Sequence, residues 1–252
     1  MFEELVKLNL FAFLLILARV GAVFAILPGF AAAYVSPQIR VALALCVSFV
    51  LTPVLADRLP GPPDSVWVLF LLLAGELLVG LFLGGLAVVM LSALQTAGTM
   101  IALFAAMANA LVQDPIAEQQ SSIIASFLTA GALVMIFVTD SHHIYFAVMA
   151  DSYNLFITGE TVAIGDMADM FARRVADSFE LGFKLSIPFL VIAVTYYVGL
   201  GILGRLMPQL PVFFFGLPIQ LSVQIAGLMI VFSSILLVFM THFLDSFAEL
   251  VG

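Results

Sequence analysis

Eight apolar segments of unequal length run through the chain, at about 8–27, 41–56, 65–94, 99–112, 122–139, 142–157, 181–204 and 211–244. A helix crosses the hydrocarbon of a bilayer in about 20 residues, rising about 1.5 Å per residue. At that rise the 41–56 run is short, at about 24 Å, and the 65–94 run is long, at about 45 Å. The lengths predict helices, but not a bundle of equal spans. Composition settles their surroundings. The chain is 64% hydrophobic and 10% charged, where a soluble domain has about 45–50% apolar and about 25% charged residues. One core of this size cannot bury so much apolar surface, so the excess faces lipid or other subunits. The fold class is all-α, integral to a membrane.

Turn chemistry marks the boundaries. The stretches LPGF (27–30) and VSPQIR (35–40) bracket one loop, and DRLPGPPDS (57–65) is another. A polar stretch, DSYNLFITGETVAIGDMAD (151–169), is the main linker. It divides the chain into a larger N-terminal part, 1–160, and a C-terminal helical hairpin, 161–252. The start, MFEELVKLNL, sets Glu3 and Glu4 against Lys7, the wrong charge for a signal peptide, so cleavage is not expected. A net charge of −8, with eight scattered basic residues, disfavours nucleic acid. The lone Cys46 sits in an apolar run and reads as buried filler.

Few motifs carry chemistry. GLGILG (199–204) spells a dinucleotide fingerprint but closes an apolar helix instead of joining a strand to one. Its glycines, like Gly80 and Gly84 at GxxxG spacing, read as close helix contacts. Asp140, Ser141, His142 and His143 supply the ingredients of a catalytic or metal site. Successive residues on a helix point about 100° apart, so a polar helix end is the plainer reading. No catalytic set, cofactor site or metal site is expected. Charged residues inside apolar segments weigh more, because burying them unpaired costs several kcal/mol. Arg19, Glu76 and Lys184 are the candidate buried charges, with Arg205 at a segment end, and Glu76 is expected to pair with a base.

Two stretches resist both descriptions, loop and span. IALFAAMANALVQDPIAEQQSS (101–122) ends an apolar run in Gln113, Asp114 and Pro115. GRLMPQLPVFFFGLPIQL (204–221) sets three prolines in very apolar chain. Each proline lacks an amide donor and crowds the preceding turn, so an unbroken helix is not expected. Irregular backbone at membrane depth is tolerated where protein buries it or where it lines a cavity. A pore or a subunit interface is therefore required.

These residues resemble a known family. Arg205, Pro208, Gln209, Leu210, Val212, Phe213, Gly216 and Pro218 fall on the C-terminal signature of the FliR-type (FliR/SctT) export-gate family of flagella and type III secretion systems. Pro211 departs from it, standing where the family has Asn. VSPQIRVALALCVSFVLTP (35–53), GELLVGLFLGGL (75–86), AGTMIALFAAMANALVQDP (97–115) and DSHHIYFAVMADSY (140–153) resemble further family segments in the same order, with Ser141 in place of a Gly. The form Gly216-Leu217-Pro218 is closer to flagellar members.

The resemblance implies inclined helical hairpins that join FliP-type and FliQ-type sister subunits in a helical hetero-oligomer. It implies that residues 1–160 resemble the first sister and 161–252 the second. It also implies a pore-plugging loop at Met107, Ala108, Asn109, Ala110, Leu111, Val112 and Gln113, with the signature turn making subunit contacts. The expected setting is the bacterial inner membrane within the flagellar basal body. Membrane lipid, FlhA- and FlhB-type export proteins and unfolded flagellar substrates would be its partners. The competing expectation is a small-molecule permease with Glu76 and Lys184 at a midplane site.

Overall fold

The computed structural model describes residues 2–32, 34–107, 122–160, 163–209 and 212–251. Among them there are seven α-helices, one 3-10 turn and no strand. The helices are α1 (Phe2–Ile26), α2 (Pro37–Leu55), α3 (Val66–Phe104), α4 (Ile123–Val138), α5 (His143–Leu155), α6 (Ile164–Leu206) and α7 (Val212–Val251). The all-α expectation holds. Four helices, α2, α3, α6 and α7, are long and apolar enough to cross a membrane. At about 1.5 Å per residue, the 39 residues of α3 span about 58 Å and the 43 of α6 about 64 Å, well beyond a hydrocarbon core of about 30 Å.

The expected break between 65–94 and 99–112 is absent up to Phe104. The intervening LSALQTAGTM has no proline, so nothing in it removes a backbone donor and the helix continues. At the other polar stretch the linker is shorter than its composition suggested. α5 runs to Leu155 and α6 starts at Ile164. Acidic residues from Asp166 onward lie on a helix, where Arg173 and Arg174 intervene between them.

The chain forms two compact units, residues 1–90, 140–175 and 244–252 in one and residues 91–139 and 176–243 in the other. These units cut across the sequence division at 160. In the first, Leu15, Ile16, Val20 and Phe24 of α1 form the core with Leu86, Ala87, Met149 and Phe247. Gly80 and Gly84 let α3 approach α1 closely. A Cβ at Gly80 would lie 2.3 Å from the Arg19 carbonyl oxygen, and one at Gly84 would lie 2.6 Å from Ile26 Cγ1. α2 packs on α1 through a narrow face, burying Ala44, Ser48 and Leu55. Its outer face exposes Phe49, Val50 and Val54. Cys46 lies on that outer side and is exposed, which corrects its reading as buried filler. An apolar run does not by itself face inward, and here its surplus surface points away from the chain.

In the second unit, Ile101, Leu128, Phe189, Phe239 and Phe243 are fully buried. Gly98 sits against Ala125, where a Cβ would come within 2.3 Å of backbone, and Gly182 faces the Ala93 carbonyl at 2.7 Å. Gly199, Gly201 and Gly204 face open space. The close-contact reading thus holds for the 80/84 pair and fails within this chain for GLGILG.

Candidate functional site

In the first unit the buried charges form a clasp. Arg19, on α1, is 1% exposed and Glu76, on α3, is 2% exposed. Arg19 Nε donates to Glu76 Oε2 at 2.7 Å and Arg19 Nη2 to Oε1 at 3.0 Å, a bidentate pair. Arg19 also donates to Ser152 Oγ and to the Phe156 carbonyl, each at 3.0 Å. Its guanidinium carbon lies 3.8 Å from the Tyr153 ring centroid, a cation–π contact. The Thr158 hydroxyl donates to Glu76 Oε1 at 2.7 Å.

Local sequence explains why Thr158 arrives there. α5 ends as the Phe156 amide closes on the Ser152 carbonyl, and the next turn closes from Glu160 N–H to Ile157 O. Gly159 within that turn has φ +95°, a left-handed conformation open to glycine. The clasp therefore ties α1, α3, α5 and the loop after α5 with nearly every donor used. A saturated, desolvated pair of this kind fixes a structure; nothing in it is poised to carry a proton or ion. Ser152, Tyr153 and Thr158 carry no signal of burial in the sequence, since they fall in the polar stretch 151–169.

Lys184 does not join a buried pair. Its ammonium lies 2.6 Å from Glu180 one turn back on α6, with both side chains 63% exposed. Arg205 is also exposed. The apolar neighbours that suggested burial of Lys184 are themselves partly outward-facing, as Phe183 and Ile187 show.

In the second unit the signature residues bound a hairpin. α6 ends at Leu206, Met207 to Gln209 form a turn, and α7 starts at Val212. Pro208 and Gln209 are exposed, whereas Leu210 lies outside the described residues. Val212 and Phe213 open α7, so the phenylalanine run expected to be irregular is helical. Pro218 lies inside α7, not in the turn. It occupies the second turn, where its missing N–H releases only the Phe214 carbonyl. Gly216 has a steric role. A Cβ there would lie 2.9 Å from Leu200 Cδ2, and its carbonyl accepts from the Tyr196 hydroxyl at 2.7 Å.

One turn further on, two buried glutamines at i, i+4 spacing face inward. Gln220 Nε2 donates to the Phe104 carbonyl at 2.7 Å, and Gln224 Nε2 donates to the Phe189 carbonyl at 3.1 Å. Phe104 is the last residue of α3, and Ala106 after it has φ +60°. A non-glycine residue in that region is strained, and Gln220 supplies a donor to a carbonyl in the last turn of α3. The signal for Gln220 and Gln224 was present in PIQLSVQI, as paired amides in an otherwise apolar helix. Of the expected plug residues, Met107 is half-buried; Ala108, Asn109, Ala110, Leu111, Val112 and Gln113 lie outside the described residues.

The turn before α5 gathers what spacing argued against. Asp140, His142 and His143 bring one donor atom each within 4.8 Å of one another, and the two imidazoles stack with centroids 4.4 Å apart. Asp140 takes φ +55°, which turns the chain sharply just before α5. The three could offer donors to a divalent cation. His143 Nδ1 lies 2.9 Å from the Asp140 carbonyl oxygen.

Comparison with known proteins places this geometry. The model of bacterial export proteins, family 1, matches residues 10–246. The chain is 30% identical to the flagellar biosynthetic protein FliR of Caulobacter vibrioides over 89% of both chains. It is 31% identical to that of Bacillus subtilis, over 90% of this chain and 88% of the relative. Yop proteins translocation protein T of Yersinia pestis is 24% identical over 92% of this chain and 88% of its own length. A match over nearly the whole length, signature hairpin and clasp included, leaves one assignment: the chain belongs to the bacterial export proteins, family 1.

Proposed function

We propose that the chain is a non-enzymatic subunit of the flagellar type III protein export gate in the bacterial inner membrane. It would form part of the conduit for unfolded flagellar proteins. The observation that carries this reading is the family match over residues 10–246, with flagellar relatives at 30% and 31% identity across about nine-tenths of each chain. The architecture supports it. The helices are too uneven for a regular bundle, and exposed apolar side chains run along α2, α6 and α7. Such surface needs lipid or sister subunits to cover it.

The FliP-type and FliQ-type subunits are the partners we infer, with 1–160 and 161–252 corresponding to one sister each. FlhA- and FlhB-type proteins would adjoin the assembly. The segment 107–113 would close the conduit when idle, exchanging contacts with its own assembly for contacts with the passing chain. The permease reading loses its site residues. Glu76 is taken up by Arg19, and Lys184 pairs with Glu180 on an exposed face.

Deleting residues 107–113 tests the closing role. Cells carrying the deletion should leak ions across the inner membrane while the subunit still assembles with its sisters. A tight membrane in the presence of normal amounts of the deleted subunit would refute the plug. Recovery of the full chain only as a monomer, when co-expressed with the sister subunits, would refute the assembly.

A further inference from the structure

A groove of about 700 Å3 opens on the first unit above the clasp. Its lining includes Val68, Leu71 and Leu72 of α3 and Met167 and Met170 of α6. Arg19 and Glu76 reach it from below, but each is already committed to the other. That leaves Glu160 and Asp166 at the exposed rim. Neither forms an ion pair among the described residues. On α3, next in sequence to the lining residues Val68 and Leu71, Trp67 and Phe70 stack at 5.9 Å and are 67% and 61% exposed.

We propose that this groove receives a segment of a partner polypeptide, one that places an apolar side chain between Leu72 and Met170 and a Lys or Arg against Glu160 and Asp166. The sign of the rim selects the occupant. With Glu76 neutralised by Arg19, two carboxylates remain uncompensated, so the site attracts a cation and repels a phosphate headgroup. The same carboxylates would be costly in hydrocarbon, so the groove opens toward water or protein. Its chemistry suits a polypeptide. Two methionines adapt to the shape of an incoming side chain, and Trp67, exposed on α3 next in sequence to the lining residue Val68, is of a residue type enriched among protein-contact anchors. The volume is typical of clefts that enclose a compact group. The inference rests on the export-subunit reading only for where the partner is sought, and it does not involve residues 107–113.

The test places a photoreactive amino acid at Leu72 or Met170 of the full chain in its assembled state in cells. Irradiation should yield adducts to one polypeptide segment, with a Lys or Arg within about one helical turn of the linked apolar residue. The double variant Glu160→Lys/Asp166→Lys should lower that yield at least fivefold, and Glu160→Gln/Asp166→Asn should lower it less. Met170→Trp, which fills the groove, should suppress the adduct formed from Leu72. A probe at Val134, exposed on α4, serves as the reference and should be unaffected. Adducts confined to lipid, adducts scattered over unrelated proteins, or equal yields with all rim variants would overturn the proposal. The loop deletion reads on the gate alone, so its failure would leave this result standing.

Discussion

Arg19→Met removes one half of the clasp and keeps most of the side-chain volume. Glu76, whose side chain is 3% exposed, then loses hydrogen bonds of 2.7 and 3.0 Å and keeps only Thr158. An uncompensated buried carboxylate of this kind costs about 3–5 kcal/mol. Glu76→Gln should cost less, about 2 kcal/mol, because Arg19 keeps Ser152, the Phe156 carbonyl and the Tyr153 face. Removing both charges reverses the logic. Arg19→Met/Glu76→Gln leaves no buried ion, only the substituted amide and the Phe156 carbonyl short of partners, at about 2–4 kcal/mol together. The double variant should therefore be more stable than Arg19→Met alone, with a coupling of about 3 kcal/mol. Equilibrium unfolding of the purified chain in detergent, followed by tyrosine fluorescence, measures each corner of this cycle. A loss below about 1 kcal/mol for Arg19→Met, or a double variant equal to the sum of the singles, would refute the clasp as drawn.

Glycine substitutions separate the two small-residue stretches. Gly80→Ala should cost about 1–3 kcal/mol through overpacking against the Arg19 carbonyl, whereas Gly199→Ala and Gly201→Ala should be neutral or stabilise by up to about 1 kcal/mol; thermal unfolding in detergent ranks them, and equal losses would contradict the packing. Gln220→Met strips the donor from the Phe104 carbonyl and should cost about 1–3 kcal/mol. Faster proteolysis near residues 104–107 should accompany it, and unchanged digestion would argue against the tie. Cys46, exposed on α2, should react with a thiol reagent in the folded, detergent-solubilised chain, and a requirement for denaturant would contradict its placement.

Much of the fold could be read from the chain because bilayer physics restricts the options. Sustained apolar runs without strand-like alternation left helices as the only secondary structure, and the prolines of 204–211 located the turn between α6 and α7. The motif order also pointed to the family. The candidate site was legible only in part. Arg19 and Glu76 announced themselves, because a charge in an apolar run demands a partner. Lys184 gave the same signal and turned out to be exposed, since a single sequence does not say which face of a helix looks inward.

The sequence by itself determined that this protein is helical, membrane-integral and built with surplus apolar surface, because those properties follow from composition and segment length summed over the whole chain. Tertiary structure alone decided which polar groups meet. Arg19 finds Glu76 across 57 positions of chain and Ser152 across 133, and Gln220 reaches Phe104 across 116. Contacts at such separations depend on how helices rotate about their axes and how closely glycines let them approach. No local pattern records those quantities. Pro218 is the local counterpart: α7 runs through it because helix entry at Val212 puts it in the second turn, where the missing N–H releases only one carbonyl.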